Sequence, residues 1–269
     1  MHRIWLAVAL VGCSFDPGAP PGADDPDPAT DGGVLDPVCS VSGTILCLEL
    51  EQDEAPMAQA LDGSGNQHHA SATGVISSSN GSVDMRSGIF VGDSKLTVPA
   101  TPNLDLVDNF TIEMWVLRVN AVPDEFRYFL LDSSGQYSLS IDSDDRLACS
   151  VNDGGKDVTS NEVVPIDGQF HHVACTYDQA SGGELKVYVD GVVSDCEPDV
   201  GTIGERPGDT TIGVRTGSLL ASEYFVGSLD NVHVYGTTLT PAQVCTTAGQ
   251  AGCEARCPSK RDGFGFGGH

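Results

Sequence analysis

Phe170-His-His-Val-Ala-Cys-Thr-Tyr-Asp-Gln-Ala-Ser-Gly-Gly-Glu-Leu-Lys-Val-Tyr-Val-Asp-Gly191 reads as two strands and the turn that joins them. Val173, Cys175 and Tyr177 alternate with smaller or more polar neighbours. The run from Gln179 to Gly183 breaks the pattern, and Leu185, Val187 and Val189 resume it. A side-chain period of two with β-branched and aromatic residues marks a strand with one buried face. Asp190-Gly191 then offers the positive φ values of a tight hairpin turn into Val192-Val193. Three antiparallel strands in so short a length form a sheet that must pack on something, because a lone meander cannot bury its apolar face.

The same reading extends in both directions. Thr44 to Leu50 is an opening strand, Asp53 to Ala60 a loop or a single helical turn, and Leu61 to His68 a polar, Gly-rich loop. Short strands are expected at 89–91 and 95–98, and a long one at 110–119. Others follow at 128–131, 137–141, 146–151, 158–164, 210–214 and 227–235, the middle ones joined by Asp/Ser-rich turns. Thr240 before Pro241 supplies an N-cap and a first helical residue for one short helix ending near Gly249. Many short strands and one brief helix near the carboxy terminus indicate an all-β fold, a two-sheet antiparallel β-sandwich.

Composition sets outer limits. The chain has 269 residues, with 38 acidic against 13 basic side chains and a net charge of −25. A polyanionic surface repels phosphate backbones, so nucleic acid is excluded as a partner. Nine cysteines point to an oxidising compartment. They include no CxxC pair, and Cys253 and Cys257 have no matching pair elsewhere that would make a zinc site.

The amino terminus reads as an address. Met1 to Arg3 is short and positive, and Ile4 to Val11 is an apolar run too short for a bilayer span but suited to a secretion signal. It leads into Leu10-Val-Gly-Cys13, which resembles a bacterial lipobox and implies lipidation of Cys13. Without Cys13 the remaining eight cysteines are even in number and can all pair. Ser14 resembles the residue of signals that permit export to the outer membrane. Residues 1–13 are therefore expected to be a lipoprotein signal peptide and 14–38 a Pro/Gly/Asp-rich linker. Residues 39–257 form the folded domain, and 258–269 a loose tail. The expected location is the bacterial cell envelope, at the outer membrane or cell surface, with membrane attachment through the lipid anchor only.

The stretch from Gly168 to Asp178, followed by Leu185 to Gly191, resembles laminin-G-like, concanavalin A-like jelly rolls and is close to the matching segment of pentraxins. Asn109 to Val116 is similar to the family's early core strand, and Phe225 to Tyr235 with Leu239 to Gln243 to its closing strand and helix. Phe170 stands where the family usually has Trp. The resemblance implies a concanavalin A-like jelly roll over roughly 45–249. It also implies that Asp62-Gly-Ser-Gly-Asn66 matches a loop that in many relatives holds a structural calcium, aided by an acid in the closing strand, here Asp230. The competing reading of Asp62 and Asn66 is an Asx-type turn that needs no ion. In such a sheet pair Cys149 and Cys175 lie close enough to bridge. The other six cysteines stay unassigned, with links between the Cys39–Cys47 end and the Cys245–Cys257 end expected because first and last strands adjoin.

Catalysis finds little support. Concanavalin A-like glucanases use two carboxylates a few residues apart on one strand, about 5 Å from each other in retaining chemistry. The strand at 110–119 offers Glu113 and no second acid. Glu113 therefore reads as a surface or hydrogen-bonded strand residue, and no Gly-x-Ser-x-Gly or HExxH motif is present. Adjacent His171 and His172 face opposite ways on a strand, so they cannot share one ion, and one of them packs within the fold. His68 and His69 fall in a solvated loop. Beyond the signal the one Trp is Trp115, read as buried in a core strand, which leaves Phe126, Tyr128, Tyr224 and Phe225 as candidate aromatic platforms near loops. The expected function is a non-enzymatic envelope lipoprotein that binds a glycan or an extracellular or envelope protein. The alternative is a concanavalin A-like glycoside hydrolase or lyase with an unrecognised site.

Overall fold

A computed structural model of the chain describes residues 38–53, 55–82 and 86–258. The signal and lipobox with Cys13, the linker before Val38, and the tail beyond Pro258 lie outside the described residues. Among these residues sixteen strands and one α-helix are formed. The early strands are β1 (Thr44–Leu48), β2 (Gln59–Ala60), β3 (Ala70–Thr73), β4 (Ile76–Ser78), β5 (Ser87–Phe90), β6 (Lys95–Val98) and β7 (Asn109–Arg118). The middle ones are β8 (Tyr128–Ser133), β9 (Tyr137–Ile141), β10 (Arg146–Val151), β11 (Lys156–Val163) and β12 (His171–Asp178). β13 (Glu184–Val189), β14 (Val192–Glu197), β15 (Thr210–Ile212), β16 (Gly227–Tyr235) and the helix α1 (Pro241–Thr247) close the fold.

The strands form two antiparallel sheets. The first has the order β14-β13-β12-β7-β16-β5-β4, with β1 also on β16; the second runs β11-β10-β9-β8-β15-β6-β3-β2. Alternation along β7 decides how they pack. Phe110, Ile112, Met114 and Val116 enter the main core between the sheets, together with Val173, Cys175 and Tyr177 of β12 and Val232 and Val234 of β16. Thr111, Glu113 and Trp115 then face the other side of the first sheet, away from the second.

That outer face carries its own small apolar cluster of Ala174, Tyr188, Val193, Cys196, Tyr235, Leu239 and Val244, roofed by α1. Thr240 caps the helix, its hydroxyl accepting from the Gln243 amide while the Gln243 side chain accepts from the Thr240 amide. The helix is seated over the hairpin turn, where Asp190 and Gly191 have φ of 50° and 77°. A Cβ on Gly191 would lie 2.9 Å from Ala248 Cβ and 3.1 Å from Cys245 Cα, so the turn residue must be glycine for the helix to sit there.

Four disulfides are formed: Cys39–Cys47, Cys149–Cys175, Cys196–Cys257 and Cys245–Cys253. Cys149 on β10 and Cys175 on β12 join the two sheets through the core. The expected links between the two chain ends do not form. β1 does pair with β16, but Cys39 closes an eight-residue span onto Cys47, and Cys245 one onto Cys253. Cys257 reaches Cys196 on edge strand β14, where the Val193 amide also donates to the Glu254 carbonyl.

Candidate functional site

Three adjacent strands assemble a polar row on the outer face of the first sheet. Across the β12–β7 pair, His172 stands opposite Trp115 and Ala174 opposite Glu113; across the β16–β7 pair, His233 stands opposite Glu113 and Asp230 opposite Trp115. The β16 register shifts between Asp230 and His233, and this irregularity gives Asn231 a φ of 48°. A bulge of this kind re-aims a side chain, and Asn is among the few residues that tolerate the left-handed region.

The row is the wall of a pocket of about 100 Å³, lined by Val41, Glu113, Trp115, His172, Asn231, His233, Tyr235 and Thr247. Glu113 is 2% exposed and held from four sides. Tyr235 Oη donates to its Oε1 at 2.6 Å and Thr247 Oγ1 to its Oε2 at 2.7 Å. His172 Nε2 lies 3.4 Å from Oε2 and His233 Nδ1 3.5 Å from Oε1. Burial alone would raise the Glu113 pKa, but the hydrogen bonds and charges of His172 and His233 outweigh it and hold the carboxyl well below the usual carboxylate range. Burial, and then the Glu113 charge, push the Tyr235 hydroxyl up, so it stays a donor.

The outer edges of this cluster are not paired. His172 Nδ1, His233 Nε2 and both amide atoms of Asn231 are buried without a protein hydrogen-bond partner. An unpaired buried polar group costs about 1–3 kcal/mol. The four atoms belong to residues that line the pocket but are themselves closed off from it.

Of the two readings of Glu113, surface residue or hydrogen-bonded strand residue, the structure shows the second. Glu113 is the single carboxylate among the pocket-lining residues, its oxygens already engaged. The other acid of the row, Asp230, is engaged by Ser82 and the Asn231 amide and is not among the pocket-lining residues. Trp115, read from sequence as buried, is partly exposed on the pocket wall. Of the other aromatic candidates, Tyr128, Tyr224 and Phe225 are buried and only Phe126 is exposed. His172 is the histidine of its pair that packs inside, 1% exposed, with Trp115 edge-on to its ring at 5.4 Å. His171 faces Asp167 and Asp190. Sequence reasoning missed Asn231, His233 and Tyr235 as site residues. Outward alternation on β7 and β12 was the available signal, but the shift in β16 hides which of its residues join the row.

Asp62, Asn66 and Asp230 are each engaged by hydrogen bonds within the protein. Asp62 Oδ1 accepts from the Cys47 and Ser64 amides, and Oδ2 from the Ser64 hydroxyl and the His68 amide. Four donors fill the acceptor sites of a carboxylate. Asn66 turns its amide nitrogen to the Thr44 and Ile45 carbonyls and to Ser64 Oγ. Asp230 Oδ2 accepts from the Ser82 amide and hydroxyl, and Oδ1 from the Asn231 amide. The loop is braced by its own hydrogen bonds, as an Asx-type turn is. Elsewhere among the described residues, Cys39, Cys47 and Glu49, and likewise Glu184, Cys196 and Cys257, lie close together. Their sulfurs are in disulfides and are not thiolate ligands. Adding a chelator to the purified protein, or calcium in excess, is expected to leave the melting temperature unchanged; a calcium-dependent rise would show that the loop rearranges around an ion.

Two antiparallel sheets, with a short helix on the outer face of the first, define a concanavalin A-like sandwich. Residues 90–245 match the family model described as the concanavalin A-like lectin/glucanases superfamily, and the chain belongs to that family. No curated protein matches it. Among solved structures it is similar to the binding domain of Paraclostridial Mosquitocidal Protein 1, with TM-score 0.61 and 17% identity over 77% of this chain and 52% of that one. Domain 4 of AbnA, an extracellular arabinanase from Geobacillus stearothermophilus solved with arabinotriose, has TM-score 0.58 and 17% identity over 76% of this chain and 98% of that domain. The binding domain of Botulinum neurotoxin DC, in complex with rat synaptotagmin II, has TM-score 0.55 and 16% identity over 77% and 51%. This chain thus spans about half the length of the two toxin domains, and at these identities the likeness is one of fold.

Proposed function

We propose that this chain is a non-enzymatic binding module of the bacterial cell envelope, displayed outside the membrane and recognising a glycan or a protein. The observation that carries the reading is the outer-face pocket, which sets a partly exposed Trp115 beside His172, Asn231 and His233 around a single, hydrogen-bonded carboxylate. Concave sites with apolar walls and a few convergent polar groups are the usual form of ligand pockets. Similar folds include the arabinanase domain solved with arabinotriose and the neurotoxin domain solved with synaptotagmin II, so sugars and proteins are both within the reach of this scaffold.

Residues 39–257 are the binding unit. Cys13 carries the lipid, and 14–38 space the unit from the outer membrane. No helix among the described residues is long and apolar enough to cross a membrane. The binding reading is tested by a glycan array and a panel of envelope and extracellular proteins, each probed with and without chelator. Absence of any ligand, together with release of sugar from a polysaccharide, would replace it with the hydrolase or lyase reading. Cys13→Ala is expected to move the protein from the membrane to the soluble fraction; retention in membranes would remove the anchor.

A further inference from the structure

We infer that Glu184, Cys196 and Cys257 are a zinc site, closed while the two cysteines are joined and opened when a dithiol reduces them. Sequence spacing offers Cys257 no companion ligands, but the fold does. Cys196 lies on edge strand β14, 61 residues before Cys257, and Glu184 begins the neighbouring strand β13. One ligand atom from each of the three lies within 4.8 Å of the other two, and Glu184 Oε1 is 3.9 Å from Cys257 Sγ. Two sulfurs and a carboxylate oxygen suit zinc, a borderline-soft ion, and three protein ligands leave its fourth tetrahedral position to water.

Exposure selects this group. The like trio of Cys39, Cys47 and Glu49 has cysteines only 2% and 0% exposed, and the inter-sheet bridge is fully buried. Cys257 is exposed, and exposed bridges are the labile ones. A thiolate of the dithiol attacks Cys257 Sγ, the bond between the cysteines breaks, and Cys196 leaves as a thiolate. The dithiol's second sulfur then displaces Cys257, so two electrons pass to the cysteines and the dithiol becomes a disulfide. Lys186 stands opposite Cys196 in the β13–β14 pair and is ion-paired with Glu184, and a cation so placed favours the thiolate forms. Zinc takes both thiolates, and any proton still on sulfur is released. Two thiolates and a carboxylate exceed the charge of zinc by one, and Lys186 offsets that one.

Cys257 stays in reach once it is freed. Cys253 remains joined to Cys245 on α1, and the Val193 amide holds the Glu254 carbonyl. The Cα atoms of Cys196 and Cys257 are 5.7 Å apart. Side-chain rotation then lets an ion lie between the sulfurs, about 2.3 Å from each.

The test treats the full-length protein with a phosphine reductant, chosen because a thiol would itself bind the metal, and titrates it with cobalt(II) and then zinc(II). Reduced protein should give thiolate-to-cobalt charge-transfer absorption that zinc abolishes, and oxidised protein should give none. Cys257→Ala should remove the band. Glu184→Gln should weaken binding at least about tenfold, a loss that even outer-shell partners of a metal can cause. Melting curves check that each variant folds. In the parent itself, zinc should slow alkylation of Cys196 and Cys257 and of no other cysteine, as read by peptide mapping. The site is overturned if the reduced parent gives no band, if Cys257→Ala keeps it, or if Glu184→Gln binds as tightly. Alkylation of Cys196 and Cys257 unchanged by zinc overturns it as well, whether or not the variants fold.

Discussion

Glu113→Ala should be the most damaging single substitution on the outer face, costing about 3–5 kcal/mol, as removal of one partner from a buried charged cluster does. In a domain of this size that is a fall in melting temperature on the order of 10 °C. The change leaves Tyr235 Oη, Thr247 Oγ1 and two imidazole rings without the acceptor they share. The loss has a pH signature. The folded carboxyl is held below its ordinary range, whereas the unfolded chain takes up its proton near pH 4.3. The cluster's contribution is thus complete above that pH and is lost as pH falls through the lower, folded value. The stability gap between parent and Glu113→Ala should be widest near neutrality and narrow on acidification below about pH 4. Chemical denaturation across that range measures it. A gap that stays constant down to pH 3 would mean that Glu113 is not held as an anion by its neighbours.

Removing the inter-sheet bridge, as Cys149→Ala with Cys175→Ala, should cost about 3–4 kcal/mol from release of the unfolded chain alone, given the 26-residue separation. Both sulfurs are fully buried between the sheets, so lost packing adds to that figure. The midpoint in denaturant reports the change. A shift below about 1 kcal/mol would show that the sheets are held by side-chain packing with the bridge incidental.

The strands that order the sandwich were legible because their chemistry is local. Val173, Cys175 and Tyr177 against Leu185, Val187 and Val189 fixed both face and register, and these pairs are the ones observed in β12 and β13. Asp190-Gly191 announced its turn through the two residue types that accept positive φ. β2, β3 and β4 escaped notice, since Ala70-Ser-Ala-Thr73 and Ile76-Ser-Ser78 are small and polar, without a β-branched alternation to read. Glu113 was singled out, but as a lone acid. Its role depends on His172 and His233, which are 59 and 120 positions away in sequence and adjacent only through pairing across β7. Trp115 was misjudged although alternation along β7 places it on the face away from the core, where it is partly exposed. The Cys196–Cys257 pair followed contacts of the segment after α1 that no spacing rule encodes.

The segment after α1 has a consequence for the molecule as a neighbour among copies of itself. Strand β14 is the margin of the first sheet, and an unguarded margin is a template on which a second chain can add a strand and begin to polymerise. Here the backbone at Glu254 occupies a donor on that margin, and Cys257 bolts the same stretch to it covalently. The segment from Glu254 to Cys257 acts as a stopper on this margin, so β14 is closed to a strand offered by another copy.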